Sequence, residues 1–81
     1  MLDLAYTAAK SGGLYPCAYN AANEIAVAAF LEKKIGFLDI SQITENVLQT
    51  DWSGDNINLQ TILKADAEAR LKAKKYAIIP L

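Results

Sequence analysis

Residues 17–34, CAYNAANEIAVAAFLEKK, constrain the fold more than any other stretch of the chain. Good helix formers fill the run, and Pro16 before it suits a first helical turn, where a backbone donor would have no intrahelical partner. Glu24 near the start and Lys33 and Lys34 at the end match the two poles of a helix dipole. The apolar residues Ala18, Ala21, Ala22, Ile25, Ala26, Val27, Ala28, Ala29, Phe30 and Leu31 leave a narrow polar strip. A helix apolar around so much of its girth belongs at the centre of a bundle. Its alanines let neighbours approach closely, while Ile25, Phe30 and Leu31 fill the remaining volume.

Three more helices are predicted around it. Leu2, Ala5, Tyr6 and Ala9 recur at helical spacing and Gly12-Gly13 stops the pattern, which gives a helix over about 2–11. Gly36 breaks the central run, Phe37 and Leu38 plug the end of the core, and Asp39 caps a third helix over 40 to about 50. Gln42 completes a capping-box-like pair with Asp39, and Ile40, Ile43, Val47 and Leu48 point inward. The segment TDWSGDNIN has loop composition, with Trp52 folding back onto the core. Asn58 caps a fourth helix whose stripe is Leu59, Ile62, Leu63, Ala69, Ala73, Tyr76 and Ala77, until Pro80 forbids much continuation. The tail AIIPL carries the only strand-like pattern. The expected fold class is all-α, a small antiparallel four-helix bundle in which residues 1–81 form one helical domain.

A chain of 81 residues buries only about 60–65 % of the surface its unfolded form exposes, so a stability of about 3–5 kcal/mol is expected. Eight basic against nine acidic residues leave a formal charge of −1. Arg70, Lys72, Lys74 and Lys75 cluster where they favour a helix C-terminus, and no basic stripe with interleaved aromatics marks a nucleic-acid partner. Cys17 is the single cysteine, so no intrachain disulfide forms, and a reducing cytoplasm fits. The first residues lack a signal-peptide pattern, and no window approaches the roughly 20 apolar residues of a membrane span.

Histidine is absent, which removes the commonest general base and metal ligand. The strongest polar concentration is NAANE, where Asn20 and Glu24 sit four apart and Asn23 lies beside them. One reading is an anion or substrate site near a helix N-terminus, with Glu24 opposing the anion. The other, which we favour, is that the asparagines satisfy backbone groups of neighbouring segments. Asp66 and Arg70 are spaced for an ion pair, intrahelical or interhelical, and a structural role is favoured over a catalytic carboxylate. Asp51, Asp55 and the loop asparagines form at best a weak calcium pattern, without the length or terminal Glu of an EF-hand loop. Cys17 at a helix start would have its thiol pKa lowered by the dipole, but with no His partner it is a packed side chain. Gly12 and Gly13 follow a helix, so no nucleotide-binding turn is present.

The run from Gly12 to Leu48, GGLYPCAYNAANEIAVAAFLEKKIGFLDISQITENVL, resembles the C-terminal domain of 1-deoxy-D-xylulose 5-phosphate reductoisomerases. Pro16, NAANE from Asn20 to Glu24, Ala26-Val27, Phe30-Leu31, Ile35, Phe37 and Ile40 carry the likeness, and LQTILKADAEARLKA looks like the family's terminal helix. Cys17, Ala18 and Tyr19 depart from the aliphatic residues expected there, and the loop from Thr50 to Asn58 matches nothing specific. The resemblance implies a complete enzyme that converts 1-deoxy-D-xylulose 5-phosphate to 2-C-methyl-D-erythritol 4-phosphate in non-mevalonate isoprenoid synthesis. NADPH and a divalent metal, magnesium or manganese, would be held by upstream domains.

By that resemblance no catalytic, cofactor-binding or metal-binding residue is assigned here, and Asn20, Asn23 and Glu24 receive no role. The chain would be an excised domain, inactive alone, that braces the rest of the enzyme as its partner. Self-association of the fragment stays open, and neither nucleic acid nor membrane is an expected partner. The alternatives are a free-standing helical interaction module that binds a partner helix and, less favoured, a small hydrolase or metal enzyme.

Overall fold

The structure, a computed structural model, describes residues 2–54 and 56–78, with side chains from Leu4 to Ala77 apart from position 55. The Leu2 side chain, Asp55, and Pro80 with the end of the AIIPL tail lie outside the described residues. Four helices follow in order: α1 (Leu2–Ser11), α2 (Tyr15–Leu31), α3 (Phe37–Leu48) and α4 (Leu59–Ile78). No strand occurs among the described residues.

The all-α four-helix bundle is the one expected, with α2 touching each of the other three helices. The α2–α3 connection reverses the chain, and the loop after α3 returns it to the start of α2, where Leu14 N–H donates to the Trp52 carbonyl at 2.9 Å. Consecutive helices α2, α3 and α4 therefore alternate in direction. As a result α4 runs alongside α2 in the same sense: Cys17 meets Ile62, and further along Glu24 meets Arg70.

Alanine builds the core where these helices meet. Ala18, Ala21, Ala22 and Ala26 of α2 join Ala65, Ala69 and Ala73 of α4 and Ile40, Ile43 and Val47 of α3 in one buried cluster, closed by Trp52. The expected stripe of α4 is corrected here, because Leu59 and Leu63 are 72% and 60% exposed while Ala65, absent from that stripe, is buried. Helices drawn together over alanine have no room between them for leucine. Among the described side chains of α1 the buried one is Ala8, and Tyr6, expected inward, is exposed.

Helix ends account for the other corrections. The helix expected to reach Lys34 stops at Leu31, because Lys33 takes a left-handed φ of 63°. Lys33 N–H then donates to Phe30 O and Lys34 N–H to Ala29 O, both at 2.9 Å, which is a Schellman closure with lysine in the place glycine usually holds. Gly36 is thus not the breaker but the N-cap of α3, and Asp39 is its third residue, with Oδ2 accepting from Gly36 N–H at 2.9 Å. The earlier start places Phe37 and Leu38 in the first turn, 70% and 81% exposed, where they do not plug the core; Leu31, expected to fill it, is also exposed. Gln42, expected in the capping pair, instead donates to Asn46 Oδ1. Asn58 does cap α4: its Oδ1 accepts from Thr61 N–H at 3.0 Å, and Thr61 Oγ1 accepts from Asn58 N–H at 2.9 Å.

Candidate functional site

The polar centre of the molecule forms where α2 and α4 run side by side. Arg70 Nε donates to Asp66 Oδ2 at 2.9 Å, one turn back on α4, and Nη2 donates to Glu24 Oε2 on α2 at 2.5 Å. The ion pair foreseen within α4 is therefore one arm of a fork that also ties two helices together. Both carboxylates, Asp66 first and Glu24 second, hold the guanidinium pKa above its ordinary value, so Arg70 remains charged. No sequence signal joined Glu24 to Arg70, since their pairing depends on the parallel register of helices distant in the chain.

The start of α2 offers the anion-site reading of NAANE no backbone cradle. Of the backbone donors an anion would use, Leu14 N–H is taken by Trp52 O and Tyr15 N–H by Gly12 O, and Pro16 has none. Only Cys17 N–H is left, which is too little for a cradle. The alternative reading, with asparagines pairing neighbouring backbone, does not hold either. Asn20 is exposed and Asn23 half-buried. Among the described residues neither amide side chain bonds to the protein and no buried side-chain polar atom lacks a partner, so both amides are open to water. Pro16, Asn20, Glu24 and Ala28 form the exposed stripe of α2.

Cys17 is half-buried, with Sγ 3.5 Å from Ile62 O. Burial raises its thiol pKa and the nearby Asp66 charge raises it further, with Arg70 opposing. The lowered thiol pKa expected from the helix dipole is thus reversed by desolvation and a carboxylate. Asp51 belongs to a local turn: Oδ1 accepts from Ser53 N–H at 2.9 Å and from Ser53 Oγ, and these bonds lower its pKa. Among the described residues no group of three or more His, Cys, Asp or Glu is placed to hold a metal.

A groove of about 270 Å³ opens further along the same pair of helices, floored by Ile25, Ala28 and Ala29 and rimmed by Glu32, Lys34 and Lys74. It is apolar and open, and two of the three charged groups at its rim are spent on each other, Lys34 Nζ lying 3.2 Å from Glu32 Oε2. Among the described residues no helix is long and apolar enough to cross a membrane.

Comparison with known proteins accounts for this bundle. The family described as the DXP reductoisomerase C-terminal domain matches residues 1–72. A 1-deoxy-D-xylulose 5-phosphate reductoisomerase of Chlorobium chlorochromatii is 51% identical over 75 residues, 93% of this chain and 20% of the relative. The corresponding protein of Treponema pallidum is 40% identical over 74 residues, 91% of this chain and 20% of the relative. The solved structure of the Zymomonas mobilis reductoisomerase in complex with NADPH matches with a TM-score of 0.87 and 47% identity, covering 98% of this chain and 21% of that one. This chain thus spans about a fifth of the length of these relatives. With the family match and the bundle in agreement from α1 into α4, the chain belongs to the family of DXP reductoisomerase C-terminal domains.

Proposed function

We propose that residues 1–81 act as a single structural domain of a cytoplasmic 1-deoxy-D-xylulose 5-phosphate reductoisomerase. The complete enzyme converts its substrate to 2-C-methyl-D-erythritol 4-phosphate with NADPH in non-mevalonate isoprenoid biosynthesis. The observation that supports this most is the match of nearly the whole bundle to one fifth of an NADPH-binding relative.

Among the described residues nothing is arranged to hold NADPH or a divalent metal. No described glycine turn follows a strand, and the two carboxylates of the polar centre are already engaged by Arg70. Redox chemistry and the metal, magnesium or manganese, therefore belong to the other domains, which are the partners of this one. Its own contribution is mechanical. A bundle whose helices are joined by a charged fork and a close alanine core is a stiff element against which a cleft can keep its shape.

The test is a chimera in which this chain replaces the matching last fifth of the Zymomonas reductoisomerase, assayed for substrate-dependent NADPH oxidation. Activity in the chimera, absent both from the enzyme ending before the bundle and from this chain alone, is the expected result. A folded chimera no more active than the shortened enzyme would sink the reading.

A further inference from the structure

Two exposed rows lie side by side on the flank where α2 and α4 run parallel. On α2, Pro16, Asn20 and Glu24 follow one another at four-residue steps, all exposed. On α4, Leu59 and Leu63 are 72% and 60% exposed, and Arg70 follows Leu63 by seven residues, about two turns on the same line. The Glu24–Arg70 pair joins the rows, and the Cys17–Ile62 contact sets Pro16 level with the start of α4. Together they make one continuous face with large aliphatic groups, an amide without a partner among the described residues and a charged fork.

We propose that this α2–α4 flank is the surface on which the bundle docks against the rest of the reductoisomerase chain, a proposal that rests on the function proposed above. The distribution of side chains argues for a covered face. This chain buries alanines and leaves leucines in water, the reverse of the arrangement that stabilises a free-standing domain. The occupant follows from chain length, since the same bundle fills only 21% of the Zymomonas chain and most of that chain lies outside it.

The chemistry of the flank describes the complementary surface. Leu59 and Leu63 require aliphatic side chains over them, while the Asn20 amide offers two donors and an acceptor to backbone or amide groups at the edge. Arg70 between two carboxylates leaves a single net negative charge that is already hydrogen-bonded, so covering the fork strands no lone ion. Phe37 and Leu38 at the α2–α3 corner are also exposed, but they share that turn with the exposed charges Glu32, Lys33 and Lys34. The flank offers the longer surface, and its three charges are all tied into one fork, whereas Lys33 at the corner has no such tie among the described residues.

Hydroxyl-radical labelling, read residue by residue, compares this chain alone with the chimera described above. Protection of Leu59 and Leu63 by at least tenfold in the chimera, with Phe37 and Leu38 labelled equally in both, is expected. Leu63→Glu, placed where the side chain is exposed, should leave the melting curve of the isolated chain unchanged and lower chimera activity at least tenfold. Equal labelling of Leu59 and Leu63 in an active chimera overturns the docking face and leaves the proposed function standing. Protection that already appears in the isolated chain as its concentration rises assigns the flank to a second copy and also overturns it. An inactive but folded chimera removes the functional reading and this proposal with it.

Discussion

Two adjacent glycines show how far a single residue can be held by its surroundings. Gly12 and Gly13 both take left-handed backbone, with φ of 69° and 56°. A Cβ on Gly12 would meet nothing, whereas one on Gly13 would lie 3.1 Å from the Trp52 carbonyl oxygen. Gly12→Ala should therefore lose only the backbone preference, about 1 kcal/mol, and Gly13→Ala about 1–3 kcal/mol, because it also pushes the loop from Leu14. Urea midpoints of the two variants separate the terms. Lys33 presents the converse case, a lysine held at φ 63° where glycine is free. Lys33→Gly should stabilise the protein by about 0.5–1 kcal/mol, seen as a rise in Tm. For Cys17 the sign follows from its raised thiol pKa. Folding favours the neutral thiol, so this contribution is complete below pH 9.0 and is lost as pH climbs through the folded value. Alkylation by iodoacetamide should be slower in the folded chain than in the denatured one, with its pH inflection shifted upward.

At the scale of the helix, α4 reverses the usual ranking of apolar residues. Its small alanines face the core and its leucines face out, so Ala69→Leu should cost about 1–3 kcal/mol by overpacking, while Leu63→Ala stays within about 0.5 kcal/mol of neutral. Chemical denaturation of both variants checks the pair. An inward-facing Leu63 would invert the order. This helix also marks the limit of what its sequence discloses. Periodicity located all four helices, placed Ala69 and Ala73 inside, and found the Asn58 cap. It misjudged Leu59 and Leu63 because hydrophobic size says which residues avoid water, not how near the neighbouring helix lies. The ends of α2 and α3 were misread for a local reason: lysine at a left-handed closure carries no composition signal, and the displaced end moved Phe37, Leu38 and Asp39 into the next helix. Of the polar centre, the Asp66–Arg70 spacing was legible, while its Glu24 arm depended on a register that only the assembled bundle supplies.

For the molecule as a whole, Trp52 is the residue on which separate parts converge. It is 3% exposed, its Nε1 donates to Val47 O at the end of α3 at 2.9 Å, and its carbonyl accepts from Leu14 N–H before α2. The side chain thus fixes the α3–α4 loop and closes the alanine core, while the backbone of the same residue anchors the α1–α2 turn. Truncation to alanine should cost about 3–5 kcal/mol, comparable with the whole stability of a domain this small, so Trp52→Ala should be largely unfolded at 25 °C. Trp52→Phe retains most of the apolar volume and loses the indole hydrogen bond, and it should fold with stability lower by about 1–3 kcal/mol. The natural chain supplies its own probe, because Trp52 is its single tryptophan. If the loop and the bundle stand or fall together, fluorescence of Trp52 and far-UV helicity will follow one curve in urea. Fluorescence changing before helicity would mean that the loop detaches while the helices persist, and would assign the strength of the bundle to the contact of α2 with α3 and α4 rather than to the tryptophan that closes it.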